Sequence, residues 1–150
     1  MISVGGWTGS RYFSSAVATD ANRTAFAKTV MSFVKTYKLD GVEFEYVYVD
    51  LFEISEILIF VHLLCSWETP GTQGIGCNIV SVNDTANFLA FLQTLRKQDG
   101  AQDLIVSAAV SIAPFLGADG NPMTDVSEFA KVLDYIGSLF APFNLCPFDR

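Results

Sequence analysis

Alternating strand-like and helix-like segments predict an α/β fold built on a parallel sheet. Three observations carry that expectation. The 150 residues are 51% hydrophobic and 17% charged, which suits one ordinary domain and is too apolar for a disordered chain. Short apolar runs end at glycines or acidic residues, and the stretches between them place apolar residues at helical spacing. The resulting order is strand, helix, strand, an unusual apolar segment, helix, strand, helix. Such alternation implies βαβ units with right-handed crossovers and a site at the C-terminal ends of the strands.

Ile2 to Val4 reads as a short strand that stops at Gly5-Gly6. The next helix is expected to be capped by Asp20 and to bury Phe26, Val30, Phe33, Val34 and Tyr37, with Lys35 and Lys38 suiting its C-terminal dipole. Leu39 to Glu45 follows as a strand, with Val42 and Phe44 on one face and Glu43 and Glu45 on the other. Tyr46 to Ser66 is apolar, and Asp50 with Glu53 resembles a capping box, so a helix is the simplest local reading. Thr69 to Asn78 is rich in turn formers. A helix starts at Asn83, with Phe88, Leu89, Phe91, Leu92 and Leu95 as its apolar positions and Gly100 beyond its end. Leu104 to Ile112 is apolar on both faces, as in a buried parallel strand. Gly117 to Pro122 is a turn, and a last helix from Asp125 to Leu133 buries Phe129, Val132 and Leu133. The tail from Gly137 shows no period.

Composition excludes several classes of function. Sixteen acidic against nine basic residues, a net charge of −7, argue against a nucleic-acid partner. No stretch of 18 residues lacks a charge, so a membrane span is not expected. The first residues carry no basic leader, so no secretion signal is read there. Cys65, Cys77 and Cys146 show no metal-site or disulfide spacing, and His62 is the single histidine, so neither a metal nor another cofactor is expected.

Asp40, Glu43 and Glu45 are the candidate functional cluster. Crowded carboxylates on one strand face repel each other and are poor strand formers. A solvated edge strand would explain alternating charge. Facing the interior of a parallel barrel, however, such carboxylates would sit close together with one pKa raised, as a general acid requires. At this point a resemblance enters. Asp40-Gly41-Val42-Glu43-Phe44-Glu45 resembles the start of the Asp-Gly-x-Asp-x-Asp-x-Glu signature of glycoside hydrolase family 18, the chitinases. Ser3-Val4-Gly5-Gly6-Trp7 resembles that family's Ser-x-Gly-Gly signature, and Pro114 to Ile136 its stretch after the fifth strand. The resemblance implies an incomplete (β/α)8 barrel, roughly from the third strand to the helix after the fifth. Residues 1–150 would then be a partial catalytic domain with a foreign-looking insert at 46–66 and an unmatched tail from 137. Three strands cannot close a barrel, so an aggregation-prone, inactive chain is expected.

The departure from the signature is informative. The position of the catalytic Glu falls on Val47, which has no proton to give. Omitting Tyr46–Ser66 joins Glu45 to Trp67-Glu68-Thr69-Pro70 and restores the signature with Glu68 as the general acid. The omitted segment contains no Lys, Arg or Gly, and without its three acidic residues the net charge falls from −7 to −4. A retained intron translated in frame is the simplest origin; a natural loop insertion is the alternative. By resemblance, Glu68 would protonate the glycosidic oxygen and the substrate's own acetamido oxygen would attack the anomeric carbon. Glu45 would orient the acetamido group, Glu43 would tune Glu45, and Gly5, Gly6, Trp7, Asp40 and Trp67 would line the sugar site. Glu in place of the family's Asp at positions 43 and 45 adds a methylene to each side chain, where positioning tolerances are tight. The implied partner is chitin or a chitooligosaccharide, in a family that is commonly secreted.

The same residues admit other readings. A sugar-binding protein without catalysis fits Val47. An unrelated flavodoxin-type domain is weakened by the lack of a phosphate-cradling glycine turn. Trp7 could be a core aromatic. Asn22-Arg23-Thr24 and Asn83-Asp84-Thr85 are glycosylation-type triplets, a pattern that also arises by chance.

Overall fold

A computed structural model describes residues 1–5, 9–45, 79–110, 115–138 and 146–147. Within these, β1 (Ile2–Gly5), β2 (Gly41–Glu45), β3 (Ile105–Val110) and β4 (Tyr135–Ser138) form one parallel sheet in sequence order. A two-residue strand, β5 (Cys146–Pro147), pairs antiparallel to β4. Between the strands lie a 3-10 turn (Ser10–Tyr12) and the helices α1 (Phe13–Val17), α2 (Asp20–Tyr37), α3 (Asp84–Arg96) and α4 (Ser127–Ala130). The parallel sheet and intervening helices agree with the expected α/β class.

Alternation along the strands decides where the core sits. Val42, Phe44, Val106, Ala108 and Val110 face the helices and are buried, and Ile2, Val4 and Ile136 pack against the same cluster. Aromatic rings fill the layer between sheet and helices. Phe26 stacks on Phe91 at 4.6 Å, and Phe44 meets Phe91 edge-on at 5.2 Å.

Helix α2 departs from the expectation in two ways. Its N-cap is Thr19, whose hydroxyl accepts from the Asn22 N–H at 3.2 Å; Asp20 is the first helical residue, where an acid suits the dipole. Its buried stripe is Ala27, Val30, Met31 and Val34, while Phe33 and Tyr37 are exposed, their rings tilted against each other with centroids 4.4 Å apart. Both lie on the flank of that stripe rather than on its centre line, so helical spacing alone overstated their burial. The helix closes in a left-handed Lys38 (φ 51°) whose N–H bonds to Lys35 and Val34 carbonyls.

The C-terminal part needs a larger correction. The helix expected over 125–133 contracts to Ser127–Ala130, although Phe129, Val132 and Leu133 are buried as expected. A fourth parallel strand then follows where no further strand was read. Its anchor is Asp134, which bonds to Val106 in both directions: the Val106 N–H donates to Asp134 Oδ2 at 2.9 Å and the Asp134 N–H to the Val106 carbonyl at 2.8 Å. Arg96 locks the same corner, donating to Asp134 Oδ2 at 2.6 Å and to the carbonyls of Val132, Ala101 and Leu104. The turn at 117–122 is present, closed by a Leu116–Pro122 bridge with Gly120 at φ 78°.

Candidate functional site

Register places one polar row across the face of the sheet opposite the helices. Ser3 pairs with Glu43, Glu43 with Ser107, and Ser107 with Tyr135. Ser3 Oγ donates to Glu43 Oε2 at 3.2 Å, and Ser107 Oγ donates to Glu43 Oε1 at 3.3 Å. Glu43 is half-buried, Ser107 buried and Ser3 exposed. A carboxylate in a central strand thus has one hydroxyl donor for each oxygen.

In the next row toward the strand C-termini every residue but Glu45 is small. Gly5 pairs with Glu45, and Ala109 with Gly137. Gly5 takes φ 116°, a conformation suited to glycine at the point where the chain leaves the sheet. A Cβ placed on Gly137 would meet no atom of the described residues within 4 Å. Strand C-termini are where ligands of such sheets bind.

The sequence-predicted residues divide accordingly. Glu43, Gly5 and the backbone of Glu45 share this face. Asp40 does not: it precedes β2, is exposed, and is in phase with Val42 and Phe44 rather than with Glu43. Its carbonyl accepts from the Ile105 N–H at 3.0 Å, at the N-terminal end of the strand. Asp40 therefore does not share the face of Glu43, contrary to the expected cluster. Gly6, Trp7, Trp67 and Glu68 lie outside the described residues, as do the segment 46–66, the loop 69–78, Cys65, Cys77 and His62. Among the described residues no cluster of His, Cys, Asp and Glu could hold a metal ion, and no helix is long and apolar enough to cross a membrane.

Two contributions were missed from sequence. Ser107 belongs to a strand taken as apolar on both faces; its odd-numbered phase, shared with Ile105 and Ala109, was the available signal. Asp84 is the other. It is fully buried at the start of α3, accepting from Ser14 Oγ of α1 at 2.8 Å and from the Ser81 N–H at 2.7 Å. Burial pushes its carboxyl above the ordinary carboxylate range, while the bonds from Ser81 and Ser14 pull the other way. Nearby, the Ile79 N–H donates to the Arg11 carbonyl at 3.1 Å. These bonds tie the segment after β1 to the segment entering α3, both at the strand C-terminal end.

Comparison with known proteins follows the same lines. Residues 1–140 match the family model described as Glycosyl hydrolases family 18. A chitinase-like effector of Moniliophthora roreri is 46% identical over 134 residues, covering 89% of this chain and 27% of that protein. A chitinase-like effector of Moniliophthora perniciosa is 43% identical over 138 residues, covering 92% of this chain and 27% of that protein. The chain thus spans about a quarter of the length of these relatives. The crystal structure of a chitinase from Rhizomucor miehei superposes with a TM-score of 0.70 at 31% identity, over 91% of this chain and 37% of that one. With its sheet, its carboxylate row and its two strand-end signatures in their expected order, the chain belongs to glycosyl hydrolase family 18.

Proposed function

We propose that these residues form the sugar-facing part of a chitinase-like domain that binds β-1,4-linked N-acetylglucosamine chains and, with its present sequence, does not hydrolyse them. The observation that carries this reading is the Glu43 row. Glu43 is held by Ser3 and Ser107 one strand step behind Glu45, while the position that would supply the general acid is Val47. A strand carboxylate can accept hydrogen bonds from a sugar, but a valine cannot protonate a leaving group. The names of the relatives at 46% and 43% identity, chitinase-like effectors, are consistent with a role other than hydrolysis.

A second reading rests on Trp67-Glu68-Thr69-Pro70. In a chain without Tyr46–Ser66, Glu68 would follow Glu45 at the signature spacing. Glu68 would then give its proton to the glycosidic oxygen. The acetamido oxygen of the substrate would attack the anomeric carbon, held by Glu45, and water would later open the resulting ring with retention. Glu43 would set the charge beside Glu45.

One pair of measurements tests both readings. Calorimetric titration with chitohexaose and release from a fluorogenic chitobioside are run on the chain and on a variant lacking Tyr46–Ser66. The chain is expected to bind without turnover, and the shortened variant to gain turnover that Glu68→Gln abolishes. Turnover by the unaltered chain that Glu68→Gln abolishes, or absence of binding by a folded chain, would overturn the proposal.

A further inference from the structure

We propose that Asp99 is a site of spontaneous backbone modification, closing a ring onto the Gly100 nitrogen and reopening as an isoaspartyl linkage, and that the fold protects the other two Asp-Gly pairs. The chain contains three such pairs, Asp40-Gly41, Asp99-Gly100 and Asp119-Gly120. In each, a glycine leaves the attacking nitrogen unshielded by a side chain. The reaction is slow and takes place in the finished fold, so the folded contacts of each pair set its rate.

Ring closure requires the Asp-Gly peptide group to rotate until its nitrogen faces the side-chain carboxyl. A hydrogen bond on that peptide group must break first. The Asp40–Gly41 peptide is held by its carbonyl, which accepts from the Ile105 N–H at 3.0 Å. Gly41 is itself buried, and a Cβ there would fall 2.6 Å from Met1 Cγ. The Asp119–Gly120 peptide is held by its nitrogen, whose N–H donates to the Gly117 carbonyl at 2.9 Å. Both oxygens of Asp119 are also engaged, accepting from the Asn121 N–H at 3.1 Å and from Asn121 Nδ2 at 3.0 Å.

The Asp99–Gly100 peptide carries no such restraint. Among the described residues, neither its carbonyl nor its N–H is in a hydrogen bond. Asp99 and Gly100 are exposed in the turn between α3 and β3, and Gly100 takes φ 81°. Only Lys35 Cε, at 3.7 Å, would come near a Cβ on Gly100. The Asp99 side chain accepts from Lys35 Nζ at 2.9 Å, in an ion pair whose side chains are 54% and 98% exposed. Exposed pairs of this kind restrain little. The bond from Lys35 holds the Asp99 carboxyl below its ordinary range, as the bonds from Asn121 do for Asp119. Acidity therefore does not separate these two aspartates, whereas the freedom of the peptide group does.

The chemistry needs water alone. The Gly100 nitrogen forms a bond to Cγ of the protonated Asp99 carboxyl. The bond from Cγ to the hydroxyl oxygen breaks, and the hydroxyl leaves as water with the proton from the nitrogen. Water then opens the ring. Cleavage between Cγ and the nitrogen restores aspartate. Cleavage between the backbone carbonyl carbon and the nitrogen leaves the chain running through the side chain, one methylene longer, with a free α-carboxylate.

The test holds the chain at neutral pH in heavy-oxygen water, in native buffer and in parallel in guanidinium chloride. Each passage through the ring fixes one heavy oxygen at that aspartate, whichever way the ring reopens. Peptide mapping with electron-transfer fragmentation reads the label and the isoaspartate at each pair. Each rate in buffer is divided by the rate of the same pair in denaturant. Asp99 is expected to keep most of its denatured rate and to accumulate isoaspartate, while Asp40 and Asp119 fall several-fold. Equal ratios at the three pairs, or a ratio at Asp40 or Asp119 above that at Asp99, would overturn the proposal.

Discussion

The hydroxyl of Ser14 and the carboxylate of Asp84, seventy residues apart in sequence, meet in a buried hydrogen bond of 2.8 Å. With the Ser81 N–H on its second oxygen, Asp84 fixes the entry of α3 onto α1. Burial raises the carboxyl above its ordinary 3.8, so the folded chain holds this proton more tightly than the unfolded one. The contribution to stability is complete below pH 3.8 and is lost as pH rises through the raised value. Urea unfolding followed by circular dichroism should therefore show Asp84→Asn gaining relative to the unaltered chain between pH 3.5 and pH 7. A difference that stays flat over that range would refute the assignment. Asp84→Ala, which strands two donors, should cost about 2 kcal/mol.

Arg96 and Asp134 form a largely buried ion pair. Their side chains are only 16% and 20% exposed, and Arg96 also serves three carbonyls. A lysine cannot reproduce that fork. Arg96→Lys is expected to cost about 3 kcal/mol, and a double-mutant cycle with Asp134→Asn to give a coupling above roughly 1 kcal/mol. Additive losses in that cycle would mean the pair contributes little.

Glycines at the two ends of the sheet should respond unequally to an added methyl. A methyl on Gly41 would come within 2.6 Å of Met1 Cγ and 2.8 Å of the Ile105 carbonyl oxygen. Gly41→Ala should destabilise by about 1–3 kcal/mol. Gly137→Ala, with no atom of the described residues within 4 Å, should stay within about 0.5 kcal/mol of the unaltered chain. Thermal melts of the two variants side by side decide the point.

The two serines that hold Glu43 are unequal. Ser107 is buried and Ser3 exposed, so water can replace Ser3 more easily. Ser107→Ala should cost about 1 kcal/mol and weaken chitohexaose binding several-fold, with Ser3→Ala showing a smaller effect on both. Equal effects, or none on binding after Glu43→Gln, would count against the proposal that Glu43 faces the sugar.

Period and punctuation made most of this fold readable. Val42 and Phe44 alternate with glutamates, and Phe88, Phe91, Leu92 and Leu95 recur at helical spacing, so β2 and α3 were legible. The strand at Tyr135–Ser138 was not, because four residues with a glycine give no period. It is fixed by Asp134 and Arg96, contacts that join distant parts of the chain. Phe33 and Tyr37 were misassigned because spacing gives a face but not its width. At the candidate site, Glu43 and Gly5 were legible from the family-like motifs. Ser107 was hidden in an apolar run, and Asp84 looked like an ordinary helix start. Asp40 was grouped with Glu43 by proximity in sequence, although strand phase separates them.

The glycine-rich row formed by Gly5, Ala109 and Gly137 beside Glu45 has an architectural corollary. Side chains this short would offer a ligand contact but little shape. Discrimination on this face would then rest on the hydrogen bonds of Glu43 rather than on fit, and a larger residue at Ala109 or Gly137 would be the direct way to add relief to it.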